Sequence, residues 1–355
     1  MELIELFKKL AEIDSVSGEE KELSNFVLNH LKKLGLNPVQ DENFMIYCRT
    51  GESSFPKLFC AHLDTVEPGR GVKIIEKDGY LVSQGKTIIG GDNKVSLAAV
   101  LYTVEKLLKE GKSFDVELVF SVREETDSGI KDIDKSLIQS KVGFIFDLGG
   151  VDNFQDVVTQ APTIWDFKIE IIGKSSHGSR PEDGVNALNG LIEFKDRIKF
   201  GRLDEKSTFN VGLINGGDAT NTVPGHISLA GDLRSTDHET FEMHKESLEN
   251  SLKQIEKETG LHIKLEWIPY AFGYNLDTSS HNFKKLSQIY LDEFDIKLEH
   301  KAVTSGSDAG FLNYMGVETF CLGYCVENSH SVNERIKIDN FYKLQKIVNT
   351  LMVKF

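Results

Sequence analysis

The chain has 355 residues, of which 40% are hydrophobic and 27% charged, a make-up suited to a globular protein with room for two domains. Its net charge of -14 and pI near 5.3 argue against a nucleic-acid partner, because that affinity comes from clustered Lys and Arg and here the lysines are scattered among acids. No apolar run approaches the roughly 20 residues that span a bilayer, and the start, MELIELFKKLAEI, lacks a signal peptide's unbroken apolar centre, so the expected location is cytoplasmic with no membrane partner.

MELIELFKKLAEI itself reads as an amphipathic helix. Ser17-Gly18-Glu19-Glu20 has the form of a capping box ahead of the periodic run LSNFVLNHLKKLGL, which predicts a helix capped by Ser17. FMIYCRT and KLFCAHL read as short strands, and Asp78-Gly79 within VKIIEKDGYLV marks a hairpin. Residues 93–110 return to helical period, while DVELVFSVRE and VGFIFDLG read as strands. Strands alternating with helices predict an α/β domain with helices on both faces of a mixed sheet.

From about Pro162 the order becomes WDFKIEIIG, a strand; VNALNGLIEFKDRI, a helix; TFNVGLING and HISLAGDLRS, strands; HETFEMHKESLENSLKQIEKETG, a long helix; and LHIKLEWIPY, a strand. This βαββαβ order is that of ferredoxin-like domains. Two further amphipathic helices, HNFKKLSQIYLDEF and NFYKLQKIVNTLMV, flank VETFCLGYC and return the chain to the first domain. The expected division is 1–160 and 273–355 for the α/β domain, with 161–272 inserted. Cys48, Cys60, Cys321 and Cys325 sit in apolar, strand-like surroundings and read as reduced core residues rather than disulfides or metal ligands.

Chemistry-bearing side chains gather at the predicted strand ends. His62 ends KLFCAH, and Asp64 lies two residues on, on the same side of an extended chain, as suits an imidazole ligand held by a carboxylate. Asp92 follows Gly90-Gly91 at or near a helix cap, where a plain N-cap role is the ordinary reading. Glu124 and Glu125 follow VELVFSV at the carboxyl end of a strand, where open α/β sheets place their ligand crevice. In an extended segment the two point opposite ways, so that one can hold metal and the other face substrate. Asp147 ends VGFIFD before a glycine turn and needs a cation, a cap or solvent, while His330 lies in the polar loop ENSHSVNE. Each alone has an ordinary surface or capping explanation. Together they offer two imidazoles and three carboxylates as ligands, with two carboxylates to spare, about the inventory that two zinc ions sharing a bridging carboxylate need.

The ordered motifs H-L-D at 62–64, G-D-N-K at 91–94, E-E-T at 124–126, F-D-L at 146–148 and S-H-S at 329–331 resemble the two-zinc peptidase superfamily. That superfamily includes peptidase T, glutamate carboxypeptidase, aminoacylase and succinyl-diaminopimelate desuccinylase. The insert is similar too, through GKSSHGSRPEDGVNAL at 173–188 and N-T-V-P at 221–224 followed by Arg234. The resemblance implies a ferredoxin-like lid that mediates homodimerisation. It also implies that His62 and Asp147 hold one metal ion, Glu125 and His330 the other, and Asp92 bridges the two, zinc being expected and cobalt or manganese admissible. Asp64 would orient His62, and Glu124 would be the general base. In the lid, His177 resembles the histidine that dimeric relatives send into the partner's active site, and Asn221 and Arg234 resemble groups that hold substrate carbonyl and carboxylate. The loop T-S-G-S-D-A-G at 304–310 resembles a substrate-contacting loop, although Ser307 and Asp308 could equally cap the helix that follows.

Two departures from the pattern matter. Asn93 stands where many relatives have a second Asp, and Asp147 stands where the carboxypeptidase and desuccinylase branches have Glu. The second turns the expectation toward an aminopeptidase acting on short peptides. N-acyl amino acid deacylase and carboxypeptidase remain alternatives, and a non-catalytic peptide-binding relative is disfavoured because Glu124 and all five ligand positions are filled.

Overall fold

The computed structural model describes residues 2–127 and 129–355. The chain forms two compact units, one comprising Met1–Thr159, Asn275–Val303 and Ser307–Phe355, the other Gln160–Tyr274 and Thr304–Gly306.

The first unit is built on a mixed sheet whose centre is four parallel strands in the order Val116–Ser121, Lys57–His62, Val142–Leu148 and Glu318–Gly323. Antiparallel strands flank this centre, Ile46–Arg49 on one side and Asp156–Ala161 on the other. The apolar runs read from the sequence are therefore central strands, and parallel strands of this kind need both faces covered. Three phenylalanines show how the register serves packing: Phe59 and Phe320 both pair with Phe144 on the strand between them. Their rings lie 5.2 and 5.9 Å from that of Phe144, and Phe355 of the last helix closes edge-on at 4.9 Å. The helices Leu3–Ala11 and Ile338–Lys354 pack against Gly91–Lys109.

In chain order the four central strands read second, first, third and fourth across the sheet. The topological switch point thus falls between Lys57–His62 and Val142–Leu148, and α/β sheets bind ligands outside the carboxyl ends at such a point. His62 and Asp147 stand at those two ends. A small antiparallel sheet, Ile74–Lys77, Tyr80–Ser83, Arg335–Lys337 and Val326–Glu327, carries the His330 loop between its last two members in sequence. The Asp78-Gly79 turn joins its first two strands with both residues at positive φ, as a tight hairpin requires.

The second unit is a ferredoxin-like sheet in the order Ser207–Gly216, His226–Ser235, Thr163–Ile172 and His262–Ala271, every neighbour antiparallel. A two-residue strand, Gly201–Arg202, joins its first edge. Phe167, Ile169 and Ile171 alternate toward the helices Ala187–Arg197 and His238–Thr259, where Phe194, Phe241, Leu252 and Ile255 complete the core. The side chains of Asn186 and Asp237 cap these two helices, and Gly260 ends the second in the left-handed region.

One local expectation fails. The helix after Ser17 begins at Lys21 with Glu20 in the cap position and no side-chain cap bond. Ser17 donates instead to Asp64, an acceptor with a full charge, and Glu20 takes backbone N–H groups outside the helix. The α/β core itself is open to test. Phe144→Ala removes the ring at the centre of the aromatic ladder and is expected to cost about 3 to 5 kcal/mol, read as a lower midpoint of chemical denaturation.

Candidate metal centre

His62 is the last residue of its strand and 2% exposed. Its Nδ1 lies 3.0 Å from the Asp64 backbone carbonyl and 3.4 Å from Asp64 Oδ1. The ring's other nitrogen is thereby aimed at the acids: Nε2 is 3.3 Å from Asp92 Oδ1, 3.7 Å from Asp147 Oδ1 and 4.0 Å from Glu124 Oε2. His330, at φ 62° in its loop, approaches from the other side, with Nε2 3.3 Å from Asp92 Oδ2 and 2.9 Å from Glu125 Oε1. The two oxygens of Asp92 therefore face different imidazoles. The donor atoms fall into overlapping sets within 4.8 Å of one another: His62 with Asp92 and Asp147, Asp92 with Glu125 and His330, and His62 with Glu124 and Glu125.

Asp92 is not the helix cap that its glycine context suggests. Gly90 holds the cap position in the left-handed region, and Asp92 and Asn93 have non-helical torsions inside the first turn. Glu334 holds this irregular backbone: its buried carboxylate accepts the N–H groups of Ile89 at 2.9 Å, Gly90 at 2.9 Å and Asp92 at 3.1 Å. Asn93 donates its side-chain amide to the Phe146 carbonyl at 3.1 Å and to Asp147 Oδ1 at 2.6 Å.

Glu124 and Glu125 are not an extended pair. They open a single helical turn, Glu124–Asp127, because the Asp64 carboxylate captures both of their N–H groups, at 3.0 and 3.1 Å. Glu125 thereby reaches His330, while the Glu124 carboxylate receives no hydrogen bond from the described residues. Asp308 was a candidate helix cap; it is instead buried, accepting hydrogen bonds from the Ser121 hydroxyl and, at 3.7 Å, the Cys60 thiol. Ser307 takes the cap position of the helix Asp308–Tyr314 without a side-chain cap bond. All four cysteines are buried thiols.

The lid residues form two separate groups. His177 and Asn221 adjoin, since Ser176–His177 pairs with Thr222–Val223 and Gly178 donates to the Asn221 carbonyl at 2.7 Å. Both side chains are exposed, and His177 Nδ1 lies 2.8 Å from Ser179 Oγ. Arg234 lies near the far end of the strand that starts at His226, roughly 26 Å along it at ~3.3 Å per residue, and is paired with Asp232.

Charge explains why these side chains belong together. Burial pushes Asp147 up to about 7, with the Asp92 and Glu125 charges adding to it against the opposing hydrogen bond to His62. Burial likewise drives Glu124 well above the carboxylate range; the charge of His62 opposes this, and Asp147, Asp308 and Glu125 reinforce it. Burial also opposes the ionised form of Asp92, but hydrogen bonds to His330 and His62 outweigh it and hold this acid below its ordinary value. His330 is raised to about 10 by its hydrogen bonds to Asp92 and Glu125. Burial disfavours protonation of His62, yet hydrogen bonds to Asp147, Asp64 and Asp92 raise it well above the histidine range. Protons on acids and imidazoles are carrying positive charge that a divalent cation carries better. The donor set of imidazole nitrogens and carboxylate oxygens, gathered within 4.8 Å of one another, suits such ions.

Residues 161–260 match the model of a peptidase dimerisation domain. Among solved structures the chain is similar to aminopeptidase PepT from Bacillus cereus, at 27% identity, TM-score 0.83, covering 99% of this chain and 97% of that one. It is equally similar to a tripeptidase from Staphylococcus aureus, at 28% identity, TM-score 0.83 and coverage of 99% and 96%. In sequence it is 26% identical to succinyl-diaminopimelate desuccinylase from Nautilia profundicola over 98% of each chain. These likenesses support the M20 metallopeptidase superfamily for this chain.

The site supplies carboxylates at three levels: donors facing a common centre, acids such as Glu334 that hold the donors' backbone, and Glu124 beside them. Sequence reasoning missed Glu334, Ser17 and Glu20 as members of the site. The acid of SVNE and the Ser17–Glu20 run were visible, but nothing local to them names a backbone partner far away in the chain. Metal removal offers a direct test. The raised pKa of Asp147 means that ionising it costs the folded state nothing below its usual value near 3.8 and the full penalty above about 7. The raised histidines act in the same direction, because their stabilisation is complete below 6.5 and is lost with rising pH, for His330 through about 10. The gap in melting temperature between metal-loaded and chelator-treated protein is therefore expected to widen between pH 5 and pH 7.5, as scanning calorimetry would read.

Proposed function

We propose that the chain is a two-zinc aminopeptidase of the tripeptidase type, releasing the N-terminal residue of short peptides. The observation that carries this reading is Asp92 facing His62 with one oxygen and His330 with the other, each histidine with its own further acid, and Glu124 alongside, its carboxylate 4.0 Å from His62 Nε2. His62, Asp92 and Asp147 would hold one ion, and Asp92, Glu125 and His330 the second. When bound, the two ions supply Lewis acidity that polarises a scissile carbonyl and acidifies the attacking water. Glu124 takes the water's proton and delivers it to the leaving amine nitrogen, a task suited to a carboxylate whose burial and acidic neighbours raise its proton affinity. Asp64 fixes the ring of His62 through its carbonyl and the turn of Glu124 through its carboxylate. Asn221 and Arg234 would bind substrate carbonyl and carboxylate, with Ser307 as a further contact, and His177 would steady the developing oxyanion.

The likeness to a desuccinylase over nearly the whole chain favours a second reading, hydrolysis of N-acyl amino acids by the same residues. Mass-spectrometric identification of products separates the two, with zinc-loaded protein offered unblocked tripeptides and N-acyl amino acids. Release of the N-terminal residue from tripeptides is expected, and turnover of acylated substrates alone would move the chain to the deacylase reading. Glu124→Ala is expected to lower kcat by roughly 10²- to 10⁴-fold, the usual contribution of a general base.

We also infer a homodimer formed through the lid. Its strand Ser207–Gly216 pairs with Gly201–Arg202 only at Phe209 and Thr208, so its outer edge from Asn210 onward has no partner among the described residues. Leu213 and Ile214 on that edge are 64% and 57% exposed, and Leu188 and Ile192 of the helix Ala187–Arg197 are exposed as well. An open apolar edge of this kind invites a second copy. Light scattering is expected to show a dimer for the parent and a monomer for the double variant Leu213→Asp, Ile214→Asp.

A further inference from the structure

The Ser17–Glu20 run does not cap its helix, and its side chains point to another task. We propose that Ser17 and Glu20 are positioning residues that fix the turn carrying Glu124, an inference that rests on Glu124 being the base. Three consecutive backbone N–H groups define that turn, and two buried carboxylates accept all three. Glu20 Oε1 takes Arg123 N at 3.0 Å, Asp64 Oδ1 takes Glu124 N at 3.0 Å, and Asp64 Oδ2 takes Glu125 N at 3.1 Å. The two acids are joined through adjacent residues: Ser17 Oγ donates to Asp64 Oδ2 at 2.6 Å, and Gly18 N donates to the same Glu20 oxygen at 2.8 Å.

The clamp is anchored rather than hanging from a loose terminus. Ser15 Oγ donates to the Leu63 carbonyl at 2.8 Å, Thr65 N to the Ser15 carbonyl at 2.9 Å and Ser17 N to the Thr65 carbonyl at 3.2 Å. Segment 15–17 therefore runs beside 63–65 as a short parallel bridge centred on Val16 and Thr65. Just before it, buried Lys94 donates Nζ to the Ile13 carbonyl at 2.8 Å. At the other end, Arg123 sits at φ 55°, a left-handed conformation that a non-glycine residue keeps when its surroundings hold it. The Glu20 bond to Arg123 N holds its backbone, and the guanidinium pairs with Asp132 at 3.2 Å. Among the described residues none donates a hydrogen bond to the Glu124 carboxylate, so its placement rests on its backbone, which these two acids hold.

The test compares Ser17→Ala and Glu20→Ala with Ser17→Thr and Glu20→Gln, each in the parent and in a Glu124→Ala background. The readouts are kcat and KM on a tripeptide, bound metal by atomic emission and thermal unfolding. In the parent, the alanine variants are expected to lose about 10- to 100-fold in kcat, as misplacing a reacting group by up to an ångström does. KM and metal content stay within about twofold, while Thr and Gln, which keep the donor hydroxyl and the acceptor oxygen, restore kcat. In the Glu124→Ala background, whose residual rate is read at high enzyme concentration, the same alanine changes cost nothing further, because they act through a group already removed. Three results overturn the proposal: parent-like kcat in both alanine variants, a kcat loss that tracks lost metal or lost fold, or an equal further loss without Glu124. Parent-like turnover by Glu124→Ala would sink the base reading and this inference with it, so the two failures are told apart.

Discussion

Mutual repulsion among Asp92, Glu124, Glu125 and Asp147, four acids facing one place at the rim of a parallel sheet, is the constraint on which the site depends. In water such acids would turn away from one another. Here the switch point of the sheet delivers His62 and Asp147 from adjacent strands, the turn after the neighbouring strand Val116–Ser121 brings Glu124 and Glu125, and the first turn of the helix Gly91–Lys109 brings Asp92. The cost of gathering them appears as protons held on groups that would otherwise ionise or stay neutral. Cations resolve that conflict, so a chain that holds this arrangement gains stability when it binds them.

The arrangement survives because a second set of acids holds the backbone beneath it. Asp64, Glu20 and Glu334 are all buried, and each accepts two or three N–H groups from irregular segments. Burial pushes Glu20 up and Glu334 up to about 7 while the N–H groups they accept pull the other way; for Asp64 burial is overcome by His62 and Ser17, which hold it below its ordinary value. Groups on loops are less exactly placed than groups on strands unless their backbone is tied down, and here the ties are made by hydrogen bonds to buried carboxyl groups. The division explains the large share of acids in the site: some face its centre and some hold loops.

The α/β class, the inserted βαββαβ lid and the superfamily were legible in the sequence because each rests on periodicity or on motifs in order. VELVFS and VGFIFDL are apolar enough to be central strands whatever follows them. The seven residues named for metal and base from motifs meet at one place in the structure, but the reason they meet was not legible. Glu334 and Asp92 are more than two hundred residues apart, as are Glu125 and His330, and local pattern carries no information on such pairs. The capping box was misread for a related reason. Ser17 has the chemistry of a cap, and only the fold reveals that the Asp64 carboxylate competes for its hydroxyl. The Glu124–Glu125 pair was likewise read as extended because the carboxylate that turns it lies sixty residues earlier.

Asn93 shows how a single departure from the superfamily pattern follows from the same constraint. Its amide donates to Asp147 Oδ1 at 2.6 Å and to the Phe146 carbonyl at 3.1 Å. An ionised aspartate could make neither bond and would set a fifth negative charge against Asp147, whose own ionisation is already opposed by burial, Asp92 and Glu125. A protonated aspartate could serve one of the two acceptors, not both. Turning the amide over would place its oxygen against the Asp147 carboxylate, so the charge of that acid selects the observed orientation. Asparagine thus relieves the central repulsion by one charge and steers Asp147 toward His62 with a bond that needs no cation, a division of labour that an aspartate at this position would have to leave to the metal.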